Sequence, residues 1–305
     1  MERTLIRELH AHIEETVTIK GWVDIARNQG KVAFFDFRDR SGKVQGVVFG
    51  KPDVLEIAQT LKQEWVVAVT GVVHKRPEKM VNEKVQNGDI EIEITAIEVL
   101  AAAASLPFDM SADGYNLDLA TELDHRALTL RHPRLQAIFK VQAVIIDSFR
   151  EFLKSQEFFE FQAPAITPAT AEGGAEVFQV NYFDKKAYLT QSPQLYKQIV
   201  MTAFERVFSV NKVFRAEPSA RTRHITESVA LDAEMAFIKS WTDVRDMSEE
   251  TVRYILKVVG EKCAAELTLL GATLPVMLEK TPTMSLREAQ EKIFTDTGRD
   301  VRGVK

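Results

Sequence analysis

The chain has 305 residues, 45% hydrophobic and 27% charged, with 14 glycines, 10 prolines and one cysteine. That composition belongs to a globular protein of about two domains. It excludes a disordered tail, a collagen-like rod and a disulfide-stapled miniprotein. A net charge of −5 advertises no nucleic-acid partner in bulk, so any such partner must be held by a local basic face.

Met1-Glu2-Arg3-Thr4-Leu5 lacks the apolar segment of a secretory signal, and no apolar run approaches the ~18 residues of a membrane helix. A cytoplasmic protein with no membrane contact is expected. Residues 1–103 read as β. Val17–Val23 alternates as a half-buried strand, and Val32–Arg38 and Lys43–Phe49 are joined by the turn Asp39-Arg40-Ser41-Gly42. A helix Pro52–Lys62, opened by its Pro-Asp pair, precedes strands Glu64–His74 and Ile90–Leu100. Three strands, a helix and two strands is the order of an OB-fold; an SH3-like barrel lacks that helix.

Residues 104–134 read as a linker or hinge, and 135–305 as an α+β domain with antiparallel strands. Ile138, Val141, Ile145, Phe149 and Phe152 recur at helical spacing, and the chain turns extended toward Pro164. Short strands are expected at Ala187–Thr190, Val207–Ser209, Val213–Ala216 and Ala230–Phe237. A helix follows over Val244–Leu270, preceded by Thr242-Asp243, and Ser285-Leu286-Arg287-Glu288 is a capping box opening another. Cys263 reads as a small buried hydrophobe, not a nucleophile.

The densest chemical signal is Val213-Phe214-Arg215-Ala216-Glu217, a polar loop, Arg223-His224-Ile225-Thr226-Glu227, and Leu231-Asp232-Ala233-Glu234-Met235. Lys212, Arg215, Arg221, Arg223 and His224 stand against one early acid, Glu217. A strand arginine facing a groove can hold a phosphate bidentately; an exposed hairpin with ordinary ion pairs is the bland alternative. In residues 25–51, Arg27, Lys31, Arg38, Arg40, Lys43 and Lys51 oppose Asp36 and Asp39, a local charge of +4. Phe34 on such a face could stack on a base, since Phe35 and Phe37 alternate to the other face of the strand; a core phenylalanine is the bland alternative.

The motifs bring a resemblance. Phe-Arg-x-Glu, loop, Arg-His-x-x-Glu is similar to motif 2 of class II aminoacyl-tRNA synthetases, and Phe159–Pro164 after its long helix resembles their motif 1. The octet Gln191-Ser192-Pro193-Gln194-Leu195-Tyr196-Lys197-Gln198 resembles a signature of the aspartyl-tRNA synthetases, whose layout also sets an OB-fold before the core. The Arg-His-x-x-Glu form resembles the archaeal and eukaryotic branch, and Arg76-Pro77-Glu78 a bacterial one.

The resemblance implies a ligase that activates L-aspartate with ATP and Mg²⁺ and passes it to tRNA(Asp). Arg215 is then the clamp on the α-phosphate and the aspartate carboxylate, and Glu217 orients ATP or the tRNA end. Arg223, His224 and Ile225 serve ATP and its outer phosphates. Glu172, on a Gly-rich lid, and Asp232 receive the aspartate ammonium, while Gln194 and Lys197 face its side chain. Arg27, Phe34 and Gln45 read the anticodon. Asp24 stands where many archaeal-type members restricted to tRNA(Asp) carry tryptophan, which implies use of tRNA(Asn) as well. Residues 138–164 imply a homodimer.

The family's third motif and the acidic Mg²⁺ ligands before it have no counterpart up to Lys305. A truncated core without metal ligands of its own is therefore expected. Two other readings stand beside the ligase. One is a non-catalytic tRNA-binding fragment or paralogue, against which motifs 1 and 2 and the lysine octet are intact. The other is an asparaginyl-tRNA synthetase, whose corresponding stretch lacks the lysine.

Overall fold

The computed structural model describes residues 2–83, 85–110, 116–169, 176–218, 225–279 and 281–303. The chain divides into two compact units, Met1–Asp124 and His125–Lys305. Residues 104–124 therefore group with the first unit and 125–134 with the second.

In the first unit, β1 (Thr16–Asn28), β2 (Val32–Asp39), β3 (Gly42–Phe49), α1 (Pro52–Thr60), β4 (Val66–Lys75) and β5 (Ile90–Ala101) follow in order. The strands close into a barrel of order β1-β2-β3-β5-β4, with only the β3–β5 pair parallel, the arrangement of an OB-fold. Period-two alternation drives it: Ala33, Phe35 and Phe37 point inward from β2, and Ile90, Ile92 and Ile94 from β5. Phe35 and Phe37 stack at 5.6 Å, and burying each side chain is worth about 1.5–3 kcal/mol. Gly46 is where the wall must be thin, because a Cβ there would lie 2.7 Å from the Phe37 ring and 2.9 Å from Ile94. A 3₁₀ turn at Ile6–His12, not foreseen from the sequence, plugs the core with fully buried Ile6 and Leu9. Helix α1 begins on Pro52 without a side-chain cap, contrary to the expected Pro-Asp cap. A short α2 (Leu119–Asp124) ends the unit.

The second unit contains α3 (Arg126–Thr129), α4 (Pro133–Ser155), β6 (Phe159–Glu160), β7 (Ile166–Thr167), β8 (Gln179–Tyr182), β9 (Lys185–Leu189), α5 (Gln194–Phe204), β10 (Arg206–Phe214), β11 (Glu227–Met235), α6 (Trp241–Lys262), α7 (Ala264–Leu270) and α8 (Leu286–Thr297). One sheet has the order β11-β10-β6, with β10–β11 antiparallel and β10–β6 parallel; a second has the order β7-β9-β8. The two short runs expected at 207–209 and 213–216 are one continuous strand, β10. Its even-numbered face packs on α4 and α6: Phe208 is fully buried among Phe149, Phe152, Leu153 and Phe158, edge-on to Phe149 at 5.6 Å. The helix expected over 244–270 breaks at Cys263, which is buried at the α6–α7 junction. Its N-terminal box is Ser240 with Asp243, one turn before the expected start. The box at Ser285 and Glu288 forms as expected, with Glu288 N–H donating to Ser285 Oγ at 3.2 Å.

Candidate functional site

Strand β10 separates hydrocarbon from polar chemistry. In its register with β11, Val207 faces Glu234, Ser209 faces Asp232, Asn211 faces Ala230 and Val213 faces Ser228. Residues directly opposite share a side of the sheet, so these rungs form the face opposite Phe208. Helix α5 packs on β10 and β11. Its start is tied down by Ser192, whose Oγ accepts from Gln194 N–H at 3.2 Å, and by Lys197 N–H donating to Pro193 O at 2.9 Å. Lys197 thus falls in the first turn, while Leu195 and Ile199 remain exposed.

The Lys197 ammonium lies 2.7 Å from Asp232 Oδ1 and 3.1 Å from Glu234 Oε2, with only 13% of its side chain exposed. Burial pushes its pKa down, but the two carboxylates, Asp232 foremost, outweigh that and hold it above the ordinary lysine value. Glu234 is a partner of Lys197 that the sequence analysis leaves without a role. The signal was there, since Asp232 and Glu234 are two apart on a strand and must share a face.

Arg215 follows β10 instead of lying within it, yet its N–H donates to Thr226 O at 3.0 Å and prolongs the ladder. Counting by twos places it on the Asp232 side, about 20 Å of strand beyond Ser209. Its side chain is 55% exposed, 3.8 Å from Glu217. Gln191 Nε2 and Ala216 N–H both donate to Glu176 O, which joins the start of α5 to the Arg215 flank. Gln194 is half-buried at the first position of α5, and Ile225 is exposed. Lys212 does not join this group: it lies on the opposite face and pairs with Glu227 at 2.5 Å. Glu172, Arg221, Arg223 and His224 lie outside the described residues.

A cavity of about 660 Å³ runs along the free edge of β11. Lys197, Asp232 and Glu234 supply its charged groups and Ser248 and Thr251 of α6 two hydroxyls, while the remaining lining is hydrocarbon, mostly from α4, α6 and the odd-numbered side of β11. Among the described residues no group of three or more His, Cys, Asp or Glu is placed to hold a metal ion.

On the barrel, Arg27 faces Phe34 across the β1–β2 ladder, and Asp36 faces Gln45 across β2–β3. Arg27, Phe34 and Gln45 therefore occupy one outer face, with Phe34 half-exposed while Phe35 and Phe37 are buried. Arg27 lies 3.2 Å from Asp36, whose carboxyl is nonetheless raised by burial. Glu91, unassigned from the sequence, accepts from Gln45 Nε2 at 3.4 Å and neighbours Arg76 at 3.5 Å. The +4 expected from residues 25–51 is reduced to +1 because Asp24, Glu64 and Glu93 from outside the window pair with Arg38, Lys43 and Lys51.

Residues 118–303 match the family model of tRNA synthetases class II (D, K and N), and residues 17–100 match that of the OB-fold nucleic acid binding domain. The chain is 39% identical over 282 residues to the aspartate–tRNA(Asp/Asn) ligase of Archaeoglobus fulgidus, covering 91% of this chain and 64% of that protein. It is 37% identical to the enzyme of the same name from Deinococcus radiodurans, over 99% of this chain and 67% of that one. Among solved structures, asparaginyl-tRNA synthetase from Pyrococcus horikoshii complexed with asparaginyl-adenylate superposes with a TM-score of 0.84 at 31% identity, covering 99% of this chain and 68% of that one. The chain thus spans about two-thirds of the length of these relatives.

Proposed function

Since the chain belongs to the class II tRNA synthetases of the aspartate, lysine and asparagine group, we propose that it carries the anticodon-binding barrel and the first part of the catalytic core of an aspartate–tRNA ligase. In the first step an aspartate carboxylate oxygen attacks the α-phosphorus of ATP, and the bond to pyrophosphate breaks. In the second, a hydroxyl of the terminal adenosine of tRNA displaces AMP from the acyl carbon. Charge grows on the phosphate oxygens, so a fixed guanidinium is what the transition state needs, not a nucleophilic side chain.

The observation that carries this reading is the β10–β11 register: the Lys197–Asp232 pair stands on its odd-numbered β10 face, and alternation continued through the Arg215 N–H bond to Thr226 O puts Arg215 on the same side. Arg215 holds the α-phosphate and the aspartate α-carboxylate. Glu217 positions ATP or the tRNA end. Asp232 receives the substrate ammonium, with Glu172 as its partner, and Lys197 and Gln194 face the side chain. Arg223, His224 and Ile225 serve the outer phosphates and the nucleotide. Mg²⁺ would accompany ATP; the described residues offer it no set of ligands, and no step here passes through it.

The outer barrel face of Arg27, Phe34 and Gln45 takes the anticodon of tRNA(Asp), and tRNA(Asn) as a second acceptor. A homodimer forms through the exposed apolar side of α4 and β6, where Ile138 is 48% and Phe159 46% exposed and Phe159 stacks on Phe204 at 4.0 Å. The protein works in the cytoplasm.

One observation favours asparagine instead: Lys197 is already matched by two carboxylates, and a neutral amide enters without displacing either. Pyrophosphate exchange by a full-length version decides. Exchange with aspartate at least tenfold above asparagine supports the ligase reading, and the reverse overturns it. Charging of tRNA(Asn) transcripts tests the second acceptor, and a monomer in sedimentation at micromolar concentration would refute the dimer.

A further inference from the structure

We infer that Asn211 is a specificity-determining residue of the amino-acid subsite, its side-chain amide donating to the substrate's side-chain carboxylate beside Lys197. The inference rests on the aspartate reading above and adds a contact to it.

The row on the site face of β10 runs Ser209, Asn211, Val213 and on to Arg215. Lys197 binds the carboxylates opposite Ser209 and Val207. Asn211 is therefore one rung, ~7 Å, from Ser209 in the direction of Arg215, between the groups assigned to the two ends of aspartate. Asn211 is only 8% exposed and its Nδ2 is buried without a hydrogen-bond partner; fully buried Ser209 Oγ is in the same state. An orphaned buried donor is rare and unfavourable, and it calls for a ligand or water that the site supplies when filled. Opposite Asn211 stands Ala230, whose side chain is only a methyl group and which is still partly exposed.

Charge decides what the amide is for. Lys197, Asp232 and Glu234 together carry −1, so the ammonium alone is a poor anchor for a third carboxylate. A neutral donor at the same spot brings that carboxylate in without adding charge. Nδ2 only donates, so the atom it meets must be an acceptor oxygen.

The test is direct binding of L-aspartate, L-asparagine and ATP to the protein and to Asn211→Ala, Asn211→Asp and Lys197→Leu, with melting temperatures recorded. Asn211→Ala should weaken aspartate about 10–100-fold, the range for a hydrogen bond to a charged group. Asn211→Asp, nearly isosteric, should weaken it further while costing asparagine far less; a merely structural role would move both alike. ATP affinity should stay within about twofold. Aspartate affinity unchanged in a normally melting Asn211→Ala, while Lys197→Leu loses it, would overturn this inference alone and leave only a water on Nδ2. A wild type that binds asparagine and not aspartate overturns the substrate reading and this inference with it.

Discussion

Arg38 in the barrel and Lys197 in the core are each a cation with 13% of its side chain exposed, lodged between two carboxylates. Arg38 touches Asp24 at 3.2 Å, hydrogen-bonds both oxygens of Glu64, and lies over the Trp22 ring at 5.3 Å. Lys43 adds a second cation on Asp24 at 2.6 Å, so charge in that cluster is balanced. The cluster also holds Glu64 in the left-handed region, φ 67°, with its N–H donating to Val23 O at 2.7 Å. Lys197 faces two acids and opens onto a cavity, with orphaned donors on the neighbouring rungs. Burial and ion pairing are the same in the two places. What separates scaffold from site is whether charge and hydrogen bonds are already closed.

The largest expected effects break each cluster. Lys197→Leu strands a carboxylate that needs its partner, a cost of about 3–5 kcal/mol. In a full-length version, kcat/KM for aspartate should fall about 10²–10³-fold or more with ATP affinity nearly unmoved, since ~1.4 kcal/mol is tenfold. Arg38→Leu, with Glu64 left buried, should cost a similar ~3–5 kcal/mol, but as stability in denaturant titration of the barrel, with pyrophosphate exchange intact. If Arg38→Leu lost exchange while melting normally, the distinction between the clusters would be gone.

The two neighbouring phenylalanines sharpen the same contrast. Phe35→Ala should destabilise the barrel by about 3–5 kcal/mol, because the ring is fully buried. Phe34→Ala should leave stability alone and weaken tRNA binding by about 1–3 kcal/mol, the value of a base stacked on an aromatic. Titration of labelled tRNA(Asp) against both variants separates them, and a Phe34→Ala protein that binds normally removes the stacking role. Smaller still is Ser240→Ala, which deletes the α6 capping box and should cost about 1 kcal/mol in thermal unfolding.

The least effect is expected from pH. The Lys197 pKa is raised above 10.5 in the folded protein, so its stabilising contribution is fully present below the unfolded value. It is lost only as pH rises through the higher folded one. Aspartate affinity should therefore show no step from Lys197 between about pH 6 and 9. An inflection there that vanished in Lys197→Leu would mean the carboxylates do not hold the ammonium as described.

The barrel was legible because strands with one face on a core write their fold as alternation. Phe34 against Phe35 and Phe37 could be assigned by parity alone. The Ile6–His12 turn was not legible, since its two buried residues sit in a segment too short to show a period. In the core, Lys197 stood out in its octet, but its partners come from a strand 35 residues away. The same parity rule puts Glu234 on the face of Asp232, so this second partner is legible in the sequence. The +4 window failed because a sequence segment does not know which acids fold onto it. Asn211 gave no signal at all: a polar residue in a strand is ordinary until its neighbours leave it without a partner.

Strand β10 keeps two accounts in one line of text. Its even positions, led by Phe208, belong to the hydrocarbon under α4 and α6, and its odd positions to the polar floor. Exchanging one apolar residue for another on the even side changes packing by increments. Deleting a single residue between Arg206 and Phe214 is a different kind of error, because every side chain beyond it changes sides. Phe208 or Val210 would then surface on the side of the sheet that carries the Lys197–Asp232 pair, while Ser209 or Asn211 sank into the core. The strand forgives misspelling more readily than miscounting, so natural variants of it should differ by substitution and hardly ever by length.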